Sequence, residues 1–133
     1  MANFDDLQKA IQTNLLIAFI DIARFVDVAK KFEGLELYDL MNGMAITAIR
    51  LIKKSPGRIV KFIGDSMLII FPEESVDEGV LTILELKEAI IAYFKSYGLD
   101  IKLHVGVHVG EAIVGPYGEK PHKSIDVFGD SVN

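Results

Sequence analysis

No cysteine occurs in the 133 residues, which excludes disulfides, thiolate catalysis and cysteine-ligated zinc together. Long apolar runs are also missing. None approaches the ~20 residues of a membrane-spanning helix, and the opening MANFDDLQKA lacks the basic region that heads a secretory signal. Basic clusters are equally absent. With 14 Lys+Arg against 19 Asp+Glu and a formal charge of −5, no stretch gathers enough cations to neutralise successive phosphates, so no nucleic-acid partner is expected. The same charge opposes a polyanionic ligand, so a nucleotide would need a metal ion to meet it. No internal repeat or low-complexity segment interrupts the chain. What remains is a globular composition, half hydrophobic and a quarter charged, of a length suited to one domain with one core. A soluble, cytoplasmic protein is expected.

The most informative stretch is RIVKFIGDSMLIIF, residues 58–71. Two aliphatic, β-branched runs flank Gly64-Asp65, which predicts a tight hairpin with glycine supplying positive φ and Asp65 carried on the tip. Upstream, NLLIAFIDI (residues 14–22) predicts a buried central strand with Asp21 at its exit. Residues 24–32 predict a short helix broken by Gly34. Leu37, Leu40, Met41, Met44, Ala48, Leu51 and Ile52 recur at helical spacing and predict an amphipathic helix ending near Lys53 and Lys54. Downstream of the hairpin, Pro72 ends the strand, and SVDE from Ser75 has the form of a helix capping box. The helix it opens would bury Ile83, Leu86, Ile90, Phe94 and Tyr97, with Gly98 as its stop.

Residues 101–109 alternate strictly. Ile101, Leu103, Val105, Val107 and Val109 would form a buried face, with His104 and His108 on the polar face as surface or partner-facing residues. Gly110-Glu111 would turn this strand into a second hairpin, with Ala112, Ile113 and Val114 returning. Residues 115–121 read as a loop, and KSIDVFGDSVN as a short strand running into the start of a helix. Mixed strand pairing with helices segregated to one face is expected and makes this α+β, with a ferredoxin-like or palm-like sheet as the natural topology.

Three segments, FIDIARF with Asp21, VKFIGDSM with Asp65, and SIDVFGDSVN with Asp126 and Asn133, stand in an order and spacing that resembles the class III adenylate/guanylate cyclase catalytic domain. The resemblance runs from about Leu16 to the last residue. It implies that Asp21, Asp65 and the Ile22 main chain hold two Mg²⁺ or Mn²⁺ ions, a cofactor that also resolves the repulsion between two converging carboxylates. It further implies that Lys61 and Asp126 read the base, that Asn133 orients the ribose, and that Phe25 and Arg24 lie in the segment wrapping the triphosphate. Lys61 can donate to a ring nitrogen of adenine and Asp126 can accept from its amine, so ATP is the expected substrate. In the family the metal carboxylates and the base-reading pair come from different chains, which makes a homodimer with shared sites the expected assembly.

The chain departs from the family's pattern at three places. Arg24 stands where the motif has glycine and Val26 where it has threonine. The family's arginine four positions after Asn133, with the helix and strands that follow it, lies beyond the last residue. Residues 1–133 are therefore expected to be a single cyclase domain lacking its C-terminal part, and weak or inactive alone. The alternative is a degenerate domain that binds nucleotide or a partner and regulates without turnover.

Overall fold

A computed structural model describes residues 4–132. After one 3₁₀ turn at Phe4–Asp6 come β1 (Ile11–Ile22), α1 (Phe25–Ala29), α2 (Leu35–Ile52), β2 (Arg58–Ile63), β3 (Ser66–Pro72), α3 (Val76–Lys95), β4 (Leu103–Tyr117) and β5 (Ser124–Phe128), with a last 3₁₀ turn at Asp130–Val132. One sheet has the order β2-β3-β1-β4-β5, and every pair in it is antiparallel rather than mixed as expected, because each neighbour runs back along the strand beside it. Its first four strands have the ferredoxin-like arrangement, with β5 added beyond β4.

Alternation along β1 divides the core in two. Leu16, Ala18, Ile20 and Ile22 meet Leu40, Met44, Ala48 and Ile52 of α2 and Ile83, Leu86, Ile90 and Phe94 of α3. Leu15 and Ile17 point the other way. They join Val60, Leu68, Ile70, Ala112, Val114, Ile125, Val127 and Phe4 in a second cluster that no helix covers. The two edge strands of the sheet, β2 and β5, approach one another over this cluster, and Leu7 and Val132 pack against it. The two helices are seated by close approaches at glycine. A Cβ on Gly79 would lie 2.9 Å from the Phe71 ring, and one on Gly43 would run into the hydroxyl of Tyr93, which donates 2.7 Å to the Leu40 carbonyl.

The hairpin at Gly64-Asp65 forms as the sequence predicts, with Ile63 opposite Ser66 and Gly64 at φ 60°. Other expectations are overturned. Gly110-Glu111 is not a turn: β4 runs straight through it, because β1 extends back to Ile11 and offers a partner along the whole length, Ile22 opposite Leu103 to Ile11 opposite Val114. Residues 115–117, read as loop, are the end of that strand and pair with β5. The valines of β4 do point to the helix side, but neither helix reaches that far across the sheet, leaving Val105, Val107 and Val109 exposed. Tyr97 falls after α3 has ended and is exposed. Ser75 gives α3 no side-chain cap, since a 3₁₀ turn over Glu73–Ser75 leads directly into the helix. Among the described residues no helix is long and apolar enough to cross a membrane.

Candidate active site

β1 and the hairpin deliver two carboxylates to one corner. Asp21 sits one residue before the end of β1, and the hairpin tip swings Asp65 across so that its Oδ2 accepts the main-chain N–H of Ile22 at 2.9 Å. The Ile22 side chain is buried, so only its main chain borders the corner. Opposite Asp21 in register stands His104 of β4, whose Nδ1 lies 2.9 Å from Asp21 Oδ1. The sequence placed His104 on the polar face, yet only the register between β1 and β4 makes it the neighbour of Asp21. Asp21 Oδ2 and Asp65 Oδ1 are left without a hydrogen bond among the described residues.

Those two oxygens are the hard donors that Mg²⁺ or Mn²⁺ selects, so the corner fits the cations that the resemblance implies. Among the described residues no third acidic, histidine or cysteine side chain completes a cation site with them. The remaining coordination positions would therefore fall to main chain, water and the phosphates of a nucleotide.

Immediately after the corner the chain turns into α1 through Arg24, at φ 56° and ψ 44°. Among the described residues it is the one non-glycine residue at positive φ. This left-handed conformation is disfavoured for any residue bearing a Cβ, which gives a physical reason for the glycine that the family's motif has here. The Arg24 side chain is 83% exposed and its Nε binds Asp27 Oδ2 at 2.6 Å, so it points along α1. Phe25 packs against the helix-side core and Val26 is exposed. Neither side chain offers a polar group to a phosphate.

Lys61 and Asp126 meet elsewhere. Lys61 comes from β2, beside a bulge between Ile59 and Lys61, and Asp126 from β5, so the pair spans the gap between the two sheet edges. Lys61 Nζ straddles both carboxylate oxygens at 3.2 Å and 3.3 Å, and Oδ1 is also fixed by the N–H of Val127 at 2.8 Å. Asp126 is only 16% exposed, which makes it the better held of the two. Lys61 also borders a cleft of about 690 Å³ with apolar walls that include Ile52, Val60 and Phe62. Lys61 stands four residues before Asp65 on the same hairpin, and through Leu68 it is level with Phe19, two residues before Asp21, but its ammonium turns to Asp126 on β5, opposite Gly115. The structure thus joins Asp21 with Asp65, and Lys61 with Asp126, but does not join the two pairs. Asn133 lies outside the described residues.

Comparison with known proteins gives this arrangement its relatives. The family model described as "Adenylate and Guanylate cyclase catalytic domain" matches residues 7–133. A terminal-differentiation-specific adenylate cyclase of Dictyostelium discoideum is 30% identical over 135 residues, covering 96% of this chain and 6% of that protein. A receptor-type guanylate cyclase of Caenorhabditis elegans, gcy-13, is also 30% identical, covering 90% of this chain and 12% of that protein. Among solved structures, the adenylyl cyclase CyaB of P. aeruginosa superposes with a TM-score of 0.80 at 20% identity, covering 93% of this chain and 69% of that one. The chain spans a small part of the length of these curated relatives.

Proposed function

We propose that this chain, which belongs to the adenylate and guanylate cyclase catalytic domain family, converts ATP to 3′,5′-cyclic AMP and pyrophosphate in a dimer whose sites are shared between two copies. The observation that carries the substrate is the Lys61–Asp126 pair, held together at 3.2 Å. An ammonium donor beside a carboxylate acceptor complements a ring nitrogen and the exocyclic amine of adenine, whereas guanine presents the reverse pattern. The observation that supports sharing is that Lys61, although four residues from Asp65 on the same hairpin, is bound by Asp126 and by neither carboxylate of the corner. A two-fold partner would bring its own base-reading pair opposite the corner, generating two equivalent sites.

In this reading the ribose 3′-oxygen attacks the α-phosphorus and the new P–O bond closes the ring. The bond from that phosphorus to the oxygen bridging it to the β-phosphate breaks to release pyrophosphate, while the 3′-hydroxyl proton passes to water. Divalent ions, when bound at the corner, would activate the attacking oxygen and neutralise the leaving pyrophosphate. Asp21 and Asp65 would hold them through Oδ2 and Oδ1 respectively, the oxygens that no N–H group anchors. Lys61 and Asp126 fix the adenine, so that base binding positions the ribose for in-line attack. Asn133 is assigned to orient that ribose. Arg24, held in a strained conformation at the family's glycine position, favours the second reading, a nucleotide-binding regulatory domain without turnover.

The test is product formation from ATP and from GTP with Mn²⁺, for this chain and for Asp65→Ala. Cyclic AMP that disappears with Asp65→Ala supports the enzyme. Cyclic GMP in preference to cyclic AMP would overturn the substrate, and bound nucleotide with no product, both from this chain and from a form continued through the family's remaining helix and strands, would favour the regulatory reading.

A further inference from the structure

We propose that His104 is a positioning residue that holds Asp21 in the orientation needed to bind a cation, an inference that rests on the cation-binding reading of Asp21 and Asp65. Asp21 and His104 are register partners on adjacent antiparallel strands, so their side chains leave the sheet side by side on the same face. An ionised carboxylate only accepts hydrogen bonds, so the 2.9 Å contact to Asp21 Oδ1 requires the proton to sit on His104 Nδ1. Oδ1 is thereby anchored and Oδ2 is left for a ligand.

Asp65 has the same arrangement by a different route. Its Oδ2 is anchored by the N–H of Ile22, and its Oδ1 is left over. The corner therefore consists of two carboxylates, each pinned through one oxygen by an N–H group. Main-chain geometry pins Asp65. Asp21 has no such support: it is 44% exposed near the end of its strand, and among the described residues the single hydrogen-bond partner of its side chain is His104. Without that bond the Asp21 carboxylate would rotate freely, and a cation would have to order it on binding. Groups that hydrogen-bond a metal-binding side chain commonly change metal affinity by roughly 10- to 100-fold when removed. His104 itself is 74% exposed, so its removal leaves no cavity in the core.

The experiment measures Mn²⁺ binding without nucleotide, by electron paramagnetic resonance of the free ion, for the parent chain and for Asp21→Asn, His104→Phe and His104→Asn. Melting curves confirm that each variant is folded. His104→Phe should bind Mn²⁺ roughly 10-fold or more weakly. His104→Asn should recover most of the loss, because its amide N–H is attached to Cγ as the histidine Nδ1 is and can reach the same oxygen. Pulsed spectra of the parent should show no directly bonded nitrogen. Binding by His104→Phe equal to the parent, failure of His104→Asn to recover, or a nitrogen bonded to the ion would each overturn the positioning role. If the parent binds no Mn²⁺, or Asp21→Asn binds as the parent does, the cation reading of the corner falls first and the positioning role with it.

Discussion

Replacing Arg24 by glycine should leave the chain more stable than replacing it by alanine, by about 0.5–1 kcal/mol. The left-handed conformation at φ 56° and ψ 44° costs a residue with a Cβ about 1–2 kcal/mol. Alanine keeps that cost and glycine removes it. Glycine returns about 0.5–1 kcal/mol of the gain through a freer unfolded chain. Both variants lose the exposed bond to Asp27, worth about 0.3–0.5 kcal/mol, so this loss cancels in the comparison. Relative to the parent, Arg24→Gly should come out near neutral to slightly stabilising, and Arg24→Ala slightly destabilising. The assay is urea unfolding of all three at equal m-value, where the glycine–alanine difference corresponds to a melting shift of about 2–5 °C. An alanine variant as stable as the glycine variant would mean that residue 24 is not left-handed in solution, and the physical account of the motif glycine would fail. The same pair tests the phosphate segment: if Arg24 obstructs it, activity should rise in Arg24→Gly and further with Val26→Thr.

Gly43→Ala should destabilise by about 1–3 kcal/mol despite alanine's better helix propensity, because the new methyl collides with the Tyr93 hydroxyl and breaks its bond to Leu40; a neutral urea midpoint would show that α2 and α3 separate freely. Burial, with the Tyr97 phenol and Asp39 nearby, raises the Tyr93 pKa from 10.0 to about 12. The folded state therefore favours the neutral phenol, and the associated stability is fully present below pH 10 and lost between pH 10 and about 12. Urea midpoints of the parent should fall faster than those of Tyr93→Phe across that window, and parallel curves would remove the coupling. Leu86→Ala, at a fully buried position, should cost about 2–5 kcal/mol, whereas Val107→Thr on the exposed strip of β4 should stay within about 0.5 kcal/mol. A large loss at Val107 in monomeric protein would mean that the strip is covered.

Much of the fold was readable because its signals were local. Glycine and aspartate between two β-branched runs specify the hairpin at Gly64-Asp65, and the 3.6-residue spacing of Leu40, Met44 and Ala48 specifies α2. The unbroken strand through Gly110 was not readable, since Gly-Glu is equally at home in a turn and in a long ladder. The length of its partner β1 decides between them. The alternation of residues 101–109 correctly assigns two faces but says nothing of how far the helices reach across the sheet. In the candidate site, Asp21, Asp65, Lys61 and Asp126 came from the motifs, and the fold joins them in two pairs. What stayed hidden depends on strand register and sheet curl: His104 against Asp21, and two edge strands close enough for Lys61 to reach Asp126. The backbone at Arg24 left no local trace except the glycine of the family's motif.

The central claim, a site built from the carboxylate corner of one copy and the base-reading pair of another, is tested most directly by mixing two disabled chains. Asp65→Ala alone and Lys61→Ala alone should each make little cyclic AMP. In an exchanged mixture about half the dimers are mixed and each contains one intact site of two, so activity should return to about one quarter of the parent value. Two variants that are each inactive and stay inactive together, under conditions where the parent turns over and subunits demonstrably exchange, would contradict the shared site.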